Sequence, residues 1–296
     1  MIALALASVL SLRPACADAG FGVNSGEELT LMTHARTAAM AASAATGGGN
    51  GGIESNPAAL AAEDSAGITG TIARMAGDMR MESISAVLPT PVMTLALSGW
   101  LFRSGTIRMV GSAGSGGIVE AQSDMVAAIG AGRWIGGGFS AGVAAKWFRS
   151  VMVERQTAES FTADGGLTWR DRRGILAVGA AFRNAGRDLY DPGPAGLRPI
   201  SFVAGVCWKF VSHRTVDAVV AADYSAMRGI SSETAIGAEV RLMKRLSIRA
   251  GLRGVTGMFQ PSLGLGFAAG RFVVDLASVA PSGVLPAHRA SLTVLI

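Results

Sequence analysis

The sequence predicts an all-β fold: a single antiparallel β-barrel that crosses an outer membrane. Three observations predict it. Half of the 296 residues are apolar and 16% are charged, and the mean hydropathy of +0.40 is high for a soluble domain. Several segments alternate between apolar and polar or small residues, the period of a strand with two unlike walls. No segment reads as a membrane-spanning helix.

The best helical candidate is residues 125–145, which carries Arg133 and six glycines, among them Gly136-Gly137-Gly138. Each interior Gly costs a helix about 1 kcal/mol relative to Ala, and a central Arg adds about 2.5–3.5 kcal/mol on insertion. No other stretch reaches about 18 uninterrupted apolar residues. A closed barrel is then the remaining way to satisfy every backbone polar group inside a bilayer.

The alternation is clearest near the carboxyl end. Leu246, Ile248, Ala250 and Leu252 share one face, with Ser247, Arg249, Gly251 and Arg253 on the other. Ile236, Ala238 and Val240 oppose Gly237, Glu239 and Arg241, while Phe202, Val206, Trp208 and Phe210 oppose Gly205, Cys207 and Lys209. A soluble sandwich shares this pattern, and three features favour the membrane. The strands approach the 9–11 residues needed to cross at a tilt. Charged residues such as Asp164, Glu239 and Arg249 sit mid-strand, as a watery lumen permits. Trp100, Phe102, Trp147, Phe148, Trp169, Trp208 and Phe210 fall near strand ends, where an interfacial girdle places them. From residue 66 onward we count about 12–14 strands, in one domain. Turns are expected at Pro89-Thr90-Pro91, Arg183-Asn184-Ala185-Gly186, Asp191-Pro192-Gly193-Pro194 and Ala280-Pro281-Ser282-Gly283.

The amino-terminal end is organised differently. Residues 1–19 read as a secretory signal peptide, with an apolar stretch over 3–12 followed by small residues around Cys16. That leaves Cys207 without a disulfide partner, as a small apolar side chain. Residues 31–45 are Ala-rich and helix-permissive, and the run Thr46-Gly47-Gly48-Gly49-Asn50 breaks them. No Lys-Ser or Lys-Thr follows that run, so it is a turn and not a phosphate loop.

Site chemistry is sparse. His34, His213 and His288 lie far apart, with no Cys or paired carboxylate at ligand spacing. No nucleophile elbow is present, and Glu27-Glu28 and Glu63-Asp64 read as solvated turns. We therefore expect no enzymatic activity and no cofactor or metal. The net charge of +5 is scattered instead of forming a basic face interleaved with aromatics, which argues against nucleic acid as a partner.

The segment Ala35-Arg36-Thr37-Ala38-Ala39-Met40, followed after a spacer by Asn56-Pro57-Ala58-Ala59-Leu60, resembles the amino-terminal signature of the PorV/PorQ-like outer-membrane proteins, relatives of the FadL-type channels. The match departs in places: His34, Ala41 and Ala42 stand where glycines are common, and Ser55 replaces a Trp. The resemblance implies a barrel of about 14 strands over 66–296, with residues 20–65 folded into the lumen as a plug. Arg36, Met40, Asn56, Pro57 and Leu60 would be plug anchors, not catalysts. It implies a role in protein secretion or surface attachment, with outer-membrane lipid and secretion-system components or exported proteins as partners. A channel for hydrophobic small molecules and a closed structural barrel are the alternatives.

Overall fold

The computed structural model describes residues 27–42, 44–45, 51–109, 117–153, 156–186, 199–228, 230–255, 258–283 and 285–296. The predicted leader, the Gly run at 46–50 and the Asp191–Pro194 turn lie outside the described residues.

Fourteen strands close into one antiparallel barrel. In chain order they begin with β1 (Gly67–Arg74), β2 (Arg80–Pro89) and β3 (Thr94–Arg103). A separate two-stranded sheet of β4 (Thr106–Arg108) and β5 (Ile118–Glu120) follows outside the wall. The wall resumes with β6 (Gln122–Gly136), β7 (Phe139–Met152), β8 (Gln156–Arg170), β9 (Leu176–Gly186), β10 (Ser201–Ser212) and β11 (Val216–Met227). It ends with β12 (Ile230–Leu242), β13 (Leu246–Val255), β14 (Met258–Ala269), β15 (Phe272–Val279) and β16 (Ala287–Leu295). Each strand pairs with its neighbour along the chain, and β16 closes on β1 from Gly67↔Leu295 to Arg74↔His288.

The sheet is inside-out relative to a soluble protein. Along β1 the buried lumenal residues Thr69 and Thr71 alternate with the outward, exposed Ile68 and Ile72. Ile248, Leu263, Leu265, Leu276 and Leu292 face outward, whereas Ser247, Arg249, Ser262, Asp275 and Ser291 are buried inside. Period-two alternation gives each strand two walls, and the apolar wall here is the outer one. A charge on the lipid face at the bilayer midplane costs about 2–4 kcal/mol, so this pattern suits hydrocarbon.

The two rims differ. On one, the connections are tight: Thr90–Met93, Gly136–Gly138, residues 171–175, 213–215, 243–245 and 270–271. Gly136, Gly137 and Gly138 have φ of 106°, 62° and 83°, so the run that speaks against a helix is a hairpin turn between β6 and β7. The other rim carries the longer connections, including the one containing β4 and β5. Short turns mark the periplasmic side of such barrels.

Two expectations are corrected. Arg183-Asn184-Ala185-Gly186 is not a turn but the end of β9. The register slips between Ala163 and Gly165 on β8, and Asn184 sits at this irregularity with φ 58°, a conformation Asn tolerates. The aromatic girdle is also only partly right: Trp100, Phe102 and Phe148 are buried in the lumen, while Trp208 and Phe210 are exposed outside. Nearness to a strand end does not fix the face; parity does, and Trp100 and Phe102 share theirs with lumenal Ser98.

Candidate functional site: the lumenal plug

The segment before β1 crosses the lumen and docks at two places. Its first anchor is the helix Ala35–Met40, which packs against β12 to β16. It is shorter than the helix-permissive stretch, stopping at Ala41, which takes a left-handed φ of 56°. Six residues do not hold a helix alone, so the wall must supply its partners. The Ala35 N–H donates to Ser291 Oγ (2.9 Å), Ser262 Oγ donates to the Ala39 carbonyl (2.9 Å), and Arg253 Nη2 donates to the Ala41 carbonyl (3.2 Å). The Ala39 and Ala41 carbonyls at the helix end are thus satisfied from the wall.

Arg36 reaches a buried charge network centred on Glu239. Its Nε donates to Glu239 Oε2 at 3.0 Å, which also accepts from Arg249 Nε at 2.6 Å. Arg249 Nη1 donates to Asp275 Oδ1 (2.6 Å), and Arg241 Nη2 donates to Glu239 Oε1 (3.0 Å). Glu239, Arg249 and Asp275 are therefore tolerated mid-strand because they pair with one another and with Arg36 beneath the plug. Met40 is buried against Ala42, Ala221 and Cys207, which gives Cys207 the apolar packing role read from the sequence.

The second anchor is Asn56-Pro57. Asn56 is fully buried and caps the 3-10 turn Pro57–Ala62: its Oδ1 accepts from the Ala58 N–H (3.1 Å). Its Nδ2 donates to the carbonyls of Ala44 (2.9 Å) and Leu167 (3.3 Å), joining plug to plug and plug to β8. Ser140 Oγ donates to the Ala58 carbonyl (2.9 Å). Pro57 is buried against the wall, and Leu60 is buried with Ile53, Val87, Ala96 and Ala144. Glu54 ties the anchors together by accepting from Thr33 and from Ser98 Oγ (3.4 Å), with His34 Nε2 at 3.9 Å.

The sequence singles out these five residues but misses the surface that receives them. At seven close approaches of the plug to the wall, the wall residue is Gly. A Cβ on Gly142 would stand 2.3 Å from the Pro57 backbone, on Gly166 2.0 Å from Asn56 Oδ1, and on Gly237 1.9 Å from the Met40 carbonyl oxygen. Gly132, Gly179, Gly251 and Gly264 are in the same position against Pro57, Ala44 and Ala39. The signal was present as lumen-side glycines at strand parity, but one strand read alone does not say what approaches it. The sequence also leaves Lys146, Asp164 and Asn184 unjoined. Lys146 Nζ lies 2.6 Å from Asp164 Oδ2 and donates to Asn184 Oδ1 (3.1 Å), while the Asn184 N–H donates to Asp164 Oδ1 (2.8 Å).

On one side of the lumen the plug is packed against an apolar patch of the wall. Met81, Trp100, Phe102, Val126 and Phe148 form it, and Leu29 and Leu31 of the plug pack into it. On the other side a cavity of about 50 Å³ is lined by Met32, Arg183, Asp223, Glu233 and Arg253, among others. Among the described residues no cluster of His, Cys, Asp and Glu is arranged to hold a metal, and no helix is long and apolar enough to cross a membrane.

Fold and lumen together define a plugged, fourteen-stranded antiparallel barrel. The chain is similar to "CymD monoaromatic hydrocarbon channel" (TM-score 0.59, 14% identity, 88% of this chain and 98% of that one). It is likewise similar to the Pseudomonas putida toluene transporter TodX (0.60, 11%, 90% and 97%) and to a Pseudomonas aeruginosa FadL homologue (0.55, 12%, 88% and 97%). No family model and no curated protein matches the chain.

Proposed function

We propose that the chain is a non-enzymatic outer-membrane channel for hydrophobic small molecules, closed by its own amino-terminal segment. A leader over 1–19, a plug over 20–65 and a barrel over 66–296 make up this reading. The observation that carries it is the apolar lumenal patch of Met81, Trp100, Phe102, Val126 and Phe148, which the plug's Leu29 and Leu31 cover. A water-filled porin lumen is polar, whereas an apolar body needs an apolar lining. The solved structures of similar fold described as hydrocarbon channels or toluene transporters support the same substrate class. The test is uptake of radiolabelled toluene by a deletion strain and by the same strain carrying the gene. Faster uptake with the gene is expected, and equal uptake would overturn the reading.

A second reading, a closed barrel of the PorV/PorQ type serving secretion or surface attachment, is favoured by how firmly the plug is held. The motif residues Arg36 and Asn56 are both engaged with the wall, and the described cavity holds only about 50 Å³, far below the roughly 300 Å³ of a small-ligand pocket. Comparing the surface proteomes of deletion and parent strains tests it, and an unchanged proteome removes it.

A further inference from the structure

We infer that the short-turn rim from β8 to β15 is a contact surface for anionic phospholipid, whose phosphates are held by a sector of exposed cations. Arg172 and Arg173 lie in the turn after β8, Arg214 in the turn after β10, Lys244 and Arg245 in the turn after β12, and Arg271 in the turn after β14. All six are exposed, and among the described residues none is within 4.0 Å of a carboxylate.

Nearby acids are engaged elsewhere. The Asp171 carboxylate accepts from the N–H groups of Arg173, Ile175 and Leu176 in its own turn, and Asp217 Oδ1 accepts from Ser212 Oγ. Three features identify the occupant. Directly inward of the cations the outer face carries Trp208, Phe210, Phe267 and Phe272, all exposed, which puts the turns at headgroup level. The remaining short-rim turns, Thr90–Met93 and Gly136–Gly138, carry no charge, so the cations form a sector and not a ring. At the opposite rim the charges are mixed and partly paired, as in Arg103–Glu120 (3.5 Å) and Arg149–Glu159 (3.6 Å). Basic residues attract an anionic leaflet when they sit within a Debye length of it, and Arg recognises phosphate through its planar fork.

The test uses the full chain in nanodiscs made from equal parts of phosphatidylethanolamine and phosphatidylglycerol. Lipids that stay bound after transfer to detergent are counted by native mass spectrometry. Wild type is expected to enrich phosphatidylglycerol. Arg172→Gln/Arg173→Gln/Arg245→Gln is expected to lose at least about tenfold of that enrichment, since each cation near an anionic surface is worth about fivefold. Arg74→Gln/Arg80→Gln, at the other rim, is expected to keep it. A heat-dependent shift in SDS mobility reports a folded barrel, and Lys244→Gln/Arg271→Gln serves if the triple variant does not fold. Equal retention of the two lipids by wild type, or undiminished enrichment in the folded variants, overturns the inference. Salt-sensitive binding to polyglutamate without lipid preference also overturns it, by assigning the sector to an acidic protein. None of these readouts depends on transport.

Discussion

Replacing Asn56 with Ala tests the second anchor most directly. The substitution removes a cap, worth about 1 kcal/mol, and strands the buried carbonyl of Ala44, worth about 1–3 kcal/mol when unpaired. The part-buried Leu167 carbonyl lies in a strand paired on both sides, so the loss is about 2–4 kcal/mol. Because the wall strands keep their own ladders, this loss falls on plug docking and not on barrel closure. At about 1.4 kcal/mol per decade, the undocked population rises by about one and a half to three orders of magnitude. Two assays read that shift. Planar-bilayer recordings should show more frequent open events. Cys207, packed against Met40 in the docked state, should react faster with a maleimide in a Cys16→Ala background. Unchanged conductance and thiol reactivity, in protein that keeps its heat-modifiable mobility, would falsify the anchoring role.

The other predictions concern the wall. Glu239→Ala leaves Arg249 buried with one acid fewer and removes the ion pair to Arg36, so a destabilisation of about 3–5 kcal/mol is expected in urea titration. Arg36→Ala should be milder, because Glu239 keeps Arg249 and Arg241; equal losses would refute the hub assignment. Gly142→Ala should unseat Pro57 and raise conductance while the barrel still folds, whereas Gly70→Ala, whose Cβ meets nothing within 4 Å, should leave both unchanged. Lys146→Met should cost about 3–5 kcal/mol by leaving Asp164 buried and unpaired, and Lys146→Met/Asp164→Leu should recover most of it. A double variant as unstable as the single would disprove this accounting, with guanidinium melts as the measure.

How much of this was legible follows from what a single strand contains. Parity along β12 and β13 exposes the two walls directly, so the barrel and the lumenal face of Glu239 and Arg249 could be read, but not their burial beneath the plug. The number of strands follows once those segments are counted, as does the break at Gly136-Gly137-Gly138. What could not be read depends on partners brought from far along the chain. Trp100 looks like an interfacial aromatic until its neighbours Ser98 and Phe102 show its lumenal face. Asn184 followed by Ala-Gly looks like a hairpin because the bulge that uses it needs Asp164 on the adjacent strand. Arg36 and Asn56 were visible as motif residues, but Glu239 as the receptor of Arg36 lies 203 positions away.

That separation bears on how the molecule assembles. The plug is the first described part of the chain to be synthesised, yet the Ala35 N–H bonds a serine 256 positions later, on the strand that closes the cylinder. Contacts of such long range are slow to form and gain nothing until the loop between them is closed. The first anchor must therefore wait until the last hairpin arrives, although Asn56 and Ala58 can already dock on β7 and β8, and it is enclosed as the seam between β16 and β1 is made. A chain truncated before β14 would retain a sheet but have lost the carboxyl-terminal hydroxyls that receive Ala35 and Ala39. Seam closure and the completion of plugging thus belong to one late, cooperative event, so the finished cylinder is sealed as it forms.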